Sequence, residues 1–86
     1  MAIQSQQNWS IWRQPTVTTE TGLPRSTLYR RISEGLWTSP VRLSARSVGW
    51  PAQEVCALNS ARIAGKSDNE IRALVARLEA ARKTAS

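Results

Sequence analysis

Apolar positions along the chain fall into short blocks separated by Gly and Pro. The first ten residues are polar, with Gln4, Gln6 and Gln7 ahead of Trp9, and ordered structure is expected from about Trp12. Pro15-Thr16 opens a short helix, since Pro suits a first turn and Thr can cap one. That helix runs through Val17 to Thr21 and stops at Gly22, a residue suited to the left-handed position after a helix. Leu23-Pro24 makes a turn, and a second helix covers residues 25–34, closed by Gly35. Two short helices joined by Gly22-Leu23-Pro24 have the form of a helix-turn-helix.

The pattern then changes period. Trp37-Thr38-Ser39-Pro40 reads as a loop. Val41-Arg42-Leu43 and Ser47-Val48-Gly49-Trp50 read as strands around Ser44-Ala45-Arg46, a small hairpin with Arg46 at its tip. Pro51 opens a helix over residues 52–64 that Gly65 ends. Ser67 with Glu70 three residues on is a capping box, and the last helix covers residues 68–83. On it Ile71, Leu74, Val75, Leu78 and Ala81 form one apolar stripe. The stripe either folds back over the preceding domain or serves self-association, through Ile71, Leu74, Val75 and Leu78.

Composition narrows the class. A chain of 86 residues with 41% apolar and 21% charged residues suits one small folded domain. Its longest apolar runs, such as Val55-Cys56-Ala57-Leu58, fall far short of the roughly 20 residues of a membrane span. The N-terminus lacks a charged-then-apolar signal pattern, so a cytoplasmic protein without membrane partners is expected. One Cys and no His leave no zinc cluster and no imidazole base, and Cys56 is expected to be a small buried hydrophobe. Lys66 and Lys83 sit in solvated helical stretches, and the acidic residues Asp68 and Glu70 stand where carboxylates answer a helix dipole. Neither an enzyme nor a bound cofactor or metal is expected.

Charge gives the positive indication. Twelve basic residues against six acidic give +6, and ten of the twelve are Arg. Residues 25–46 concentrate it, with Arg25, Arg30, Arg31, Arg42 and Arg46 against Glu34 alone. A small basic domain rich in Arg points to a polyanion, duplex DNA first. On the second helix Leu28 and Ile32 mark the core side, and Arg30, Ser26 and Ser33 face away from it. Tyr29 and Thr27 flank these, and Arg31 lies beside the core face, within reach of a phosphate. Arg25, Ser26 and Thr27 occupy the first turn, the part of a recognition helix that enters a major groove. Plainer readings exist for each: an Arg30–Glu34 ion pair, a packing role for Tyr29, capping by Ser26 and Thr27.

Several words of the sequence carry a family likeness: Thr21-Gly22-Leu23, Arg25-Ser26-Thr27-Leu28-Tyr29-Arg30, Pro40-Val41-Arg42-Leu43, Arg46-Ser47-Val48-Gly49-Trp50 and Glu54-Val55. Over about residues 12–64 the chain resembles the AlpA-like prophage regulators, a winged-helix group related to phage excisionases and to the DNA-binding part of MerR proteins. The resemblance implies a mainly helical winged helix-turn-helix with a two-stranded wing. It implies DNA contact by Arg25, Ser26, Thr27, Tyr29 and Arg30 on the recognition helix and by Arg42 and Arg46 on the wing. Trp37 and Trp50 would pack the wing against the helices. The family often has Ser at the position of Pro24 and a small Ala at that of Thr18.

The expected organisation is a polar tail over residues 1–11, the winged DNA-binding domain over 12–64 and an amphipathic helical segment over 65–86. The expected function is sequence-specific binding of double-stranded DNA as a prophage-type transcriptional regulator. An excisionase-type factor that bends attachment-site DNA is the alternative on the same fold. A basic protein-interaction module using the C-terminal stripe is the alternative of another class. Further expected partners are a second copy on DNA and a recombinase or the transcription machinery.

Overall fold

A computed structural model describes residues 10–84. In chain order it has β1 (Ile11–Trp12), α1 (Gln14–Thr21), α2 (Arg25–Ser33), β2 (Val41–Ser44), β3 (Ser47–Pro51), α3 (Ala52–Ile63) and α4 (Asp68–Ala81), followed by one 3-10 turn, Arg82–Thr84. This is a winged helix-turn-helix, mostly helical, with a small antiparallel sheet ordered β1-β3-β2. Trp9 lies outside the described residues.

The two N-terminal helices form as the Gly and Pro positions predict. Gly22 adopts φ 76° and its N–H closes on the Thr18 carbonyl at 2.8 Å. Only a residue without a Cβ takes that left-handed conformation at no steric cost. The start of α1 differs from expectation: Arg13 is the N-cap, Thr16 lies inside the helix, and no side chain caps it. Thr18 sits half-buried and accepts the Gln14 side-chain amide at 2.5 Å, so its hydroxyl is satisfied. Pro24, the N-cap of α2, has no side chain able to cap, and the first turn keeps its backbone donors.

The sheet is larger than the expected two-stranded wing. Val41 pairs with Gly49, Arg42 with Val48 and Ser44 with Ser47 across the Ala45-Arg46 turn, with an irregularity between Arg42 and Ser44. The third strand joins Ile11, the last residue of the expected tail, to Trp12, the first of the expected domain. Ile11 pairs with Pro51, Trp12 with Trp50, and the Ser10 carbonyl accepts the Ala52 N–H at 2.8 Å. Residue 11 therefore belongs to the sheet. Two residues carry too little period to announce a strand, and pairing with β3 supplies what the local pattern lacks.

One core draws on all four helices and on β1 and β3: Val17, Leu28, Leu36, Trp37, Trp50, Val55, Leu58, Ala61, Ile71 and Val75, with Trp12, Tyr29, Ile32, Leu74 and Leu78 packed around it. Trp37 and Trp50 are buried, and the Trp50 indole N–H donates to the Thr38 carbonyl at 2.9 Å. The α4 stripe folds back into this core through Ile71 and Val75, whereas Ala81, at its end, is exposed. The capping box at Ser67 is formed in both directions. Cys56 is exposed, not buried. On α3 the inward row runs Glu54, Val55, Leu58 and Ala61, and Cys56 falls a full 100° past Val55 toward solvent. No helix among the described residues is long and apolar enough to cross a membrane.

Candidate nucleic-acid interface

Alpha-helix α2 presents the surface that its angular pattern predicts. Leu28 is fully buried, and Arg25, Ser26, Arg30 and Ser33 are exposed. Thr27, Tyr29 and Arg31 are half-buried at the edges of that face. Ser26 and Thr27 sit within the first turn behind Pro24 and do not serve as its cap.

Tyr29 joins the exposed face to the core. Its ring meets Trp50 edge-on, with centroids 6.1 Å apart and planes at 71°, and the Arg25 guanidinium lies over it at 5.1 Å from the centroid. Such a stack fixes the ring, and it draws Arg25 over the first turn of the helix. The packing reading of Tyr29 is thus realised, while one edge of the residue stays accessible. Arg30 faces Glu34 at 3.9 Å with both side chains largely in water. A pair that long and that exposed is worth only a few tenths of a kcal/mol, so Arg30 remains free to exchange it for a stronger acceptor. Arg31 keeps a buried Nε with no hydrogen-bond partner among the described residues.

The hairpin supplies the second basic element. Ala45-Arg46 is its two-residue turn, and Arg42 and Arg46 are exposed. Arg42 makes only a 3.5 Å contact from Nη1 to the Ala45 carbonyl, and the Arg46 backbone N–H rests 3.4 Å from Ser44 Oγ. No carboxylate among the described residues lies within ion-pair distance of Arg25, Arg31, Arg42 or Arg46. Gly49 lets the strands close up, since a Cβ there would stand 2.5 Å from Ile11 Cγ2 and 3.0 Å from the Trp12 carbonyl oxygen.

Tertiary structure pairs charges that the sequence leaves apart. Glu54 is buried and takes a two-pronged bond from Arg82, Nε to Oε2 and Nη2 to Oε1, each 2.7 Å. Hydrogen bonding to that carboxylate holds the Arg82 pKa above its ordinary value. The available signal was a carboxylate in the same helical row as Leu58 and Ala61, an arrangement that demands a buried partner. Ile71, Leu74, Val75 and Leu78, the residues considered for self-association, lie in or against this chain's own core. Among the described residues no cluster of His, Cys, Asp and Glu could hold a metal ion.

Comparison with curated proteins and with solved structures finds no match. A family description, the prophage CP4-57 regulatory protein (AlpA), matches residues 10–58. That span takes in β1, both helices of the helix-turn-helix, the hairpin and the first half of α3. With more than half of the chain matched, over the elements that build the basic surface, the chain belongs to the AlpA family of prophage regulatory proteins.

Proposed function

We propose that this protein is a sequence-specific DNA-binding transcriptional regulator of the prophage type, with α2 as the recognition helix and the β2–β3 hairpin as a wing on the adjacent backbone. The observation that carries this reading is the set of exposed or half-exposed arginines on those two elements, of which only Arg30 has a carboxylate within 4 Å among the described residues. Arg25, Ser26, Thr27, Tyr29 and Arg30 would face base edges and phosphates of one major groove. Arg31 would take a phosphate at the groove edge, and Arg42 and Arg46 would take phosphates or a narrow minor groove beyond it.

Selection of fragments of the source genome by the purified protein tests the proposal. Recovery of one sequence family, bound with a salt-dependent affinity that exceeds random duplex by at least about a thousandfold, is the expected result. Equal affinity for every duplex would remove sequence-specific regulation. Absence of salt-sensitive binding would remove DNA as the partner. A preferred site that takes several copies and bends strongly would move the protein to the excisionase reading, which uses the same surface.

A further inference from the structure

Alpha-helix α4 lies wholly outside the matched span of residues 10–58, yet its polar flank reaches both ends of the connection from α2 to the wing. At the first end Arg72 Nε donates to the carbonyl of Glu34, the C-cap residue of α2, at 2.9 Å. Its aliphatic stem lies against Gly35, where an added Cβ would stand 3.7 Å from Arg72 Cγ. At the second end Ser39 is held from both sides. Its N–H donates to Glu79 Oε2 at 2.7 Å, and its carbonyl accepts from Arg82 Nη2 at 2.7 Å. Arg82 is itself anchored on Glu54, whose side chain is only 6% exposed. Arg72 and Glu79 stand seven residues apart, two turns along one row of the helix beside the buried stripe.

The connection between α2 and β2 has no regular structure of its own. Its middle is fixed by Leu36, Trp37 and Thr38, which are buried, and the Thr38 carbonyl accepts the Trp50 indole N–H. Its two ends, at Glu34 and Ser39, are exposed and depend on polar ties for the fine angle of the hairpin to the preceding helix. Three ties, two from α4 and one from the 3-10 turn that follows it, hold those ends. We infer that Arg72, Glu79 and Arg82 are positioning residues that set the angle between the recognition helix and the wing, and with it the separation of Arg30 from Arg46, without touching DNA themselves. The inference rests on the DNA-binding reading proposed above. Its energetic form is a population effect: when the competent wing angle is one of several, apparent affinity falls by the fraction of molecules that hold it.

The test uses the full chain carrying Arg72→Ala with Glu79→Ala. Both side chains lie at or near the surface, so circular dichroism should show the helical content kept. Two readouts follow. Hydrogen exchange of the Ser39 amide and of the β2–β3 ladder should quicken by roughly tenfold as local opening becomes easier. Affinity for the selected duplex should fall by about tenfold, with the salt slope unchanged because no phosphate contact is lost. Arg82→Lys, which keeps a cation for Glu54 but loses the fork to Ser39, should show the same two changes. Unchanged exchange and affinity would overturn the inference. A slope lowered by about one unit would also overturn it, since Arg72 would then be a phosphate contact. If the unmodified protein binds no duplex, the DNA reading falls by itself, and the exchange measurement still decides whether α4 holds the wing.

Discussion

Arg30 points away from Leu28 and is tied only by a long, hydrated pair to Glu34. In the proposed docking it is the side chain best placed for the guanine edge that Arg commonly reads. Arg30→Ala should cost about 1–3 kcal/mol on the preferred duplex and flatten base preference at one position. Affinity measured on a set of single-base variants checks this, and uniform weakening with preference intact would assign Arg30 to a phosphate. Arg46 sits on the hairpin turn with no carboxylate of the described residues within ion-pair distance. Arg46→Ala should weaken preferred and random duplexes alike and lower the log–log salt slope by about 0.9, the value for one phosphate. A salt titration on the two duplexes decides it, and an unchanged slope with loss confined to the preferred site would make Arg46 a reader of bases or groove shape. The outward face of α2 was legible from rotation about Leu28 and Ile32 alone. Exposure of Cys56 was not, because the run Val55-Cys56-Ala57-Leu58 is uniformly apolar and only the neighbours of α3 choose which side turns in.

At the level of elements, punctuation residues governed what could be foreseen. Gly22 and Gly65 close helices with φ 76° each, and the Ser67 capping box forms as the spacing requires. In that box Glu70 Oε1 accepts the Ser67 N–H at 2.9 Å, and Ser67 Oγ accepts the Glu70 N–H at 3.2 Å. The bond from the Ser67 backbone, then its hydroxyl, holds the Glu70 pKa below its ordinary 4.5. A carboxylate depressed on folding contributes stability that is fully present above its unfolded pKa and is lost as pH falls through the lower folded value. Glu70→Gln should therefore lower melting slightly at pH 7, with the difference from the parent shrinking as pH falls below about 4.5, so that its curve of Tm against pH is the flatter of the two in that range. Parallel curves for the two proteins would show that the box contributes nothing through charge. Strand β1 escaped the sequence because two residues cannot display alternation, and it exists through its register with Trp50 and Pro51.

Over the whole molecule, α4 completes the fold. Ile71 is 1% exposed and meets the common core, so Ile71→Ala should cost about 2–5 kcal/mol, a large part of the stability of so small a domain. Thermal unfolding that is much reduced in Tm and independent of protein concentration is the expected result. A variant as stable as the parent, with weakened self-association, would place the stripe at an interface between copies instead. Arg82 adds a second whole-molecule dependence. Removing its guanidinium leaves the Glu54 carboxylate buried without a partner, which is costlier than any exposed ion pair in the chain.

Every helix, the hairpin and the surface chemistry were legible along the chain: Gly and Pro marked where helices stop and start, helical rotation separated Leu28 from Arg30, and the excess of Arg in residues 25–46 pointed to an anionic partner. These are local properties, set by backbone geometry and by the spacing of a few neighbouring residues. Tertiary structure decided the rest, because each of those features joins residues far apart in the chain. It recruited Ile11 and Trp12 into the sheet and gave buried Glu54 its Arg82, 28 residues away. It also turned the α4 stripe inward and laid the flank beside it along the connection to the wing. Charge pattern and periodicity say that a group needs a partner, and only the packed chain says which partner comes within 3 Å.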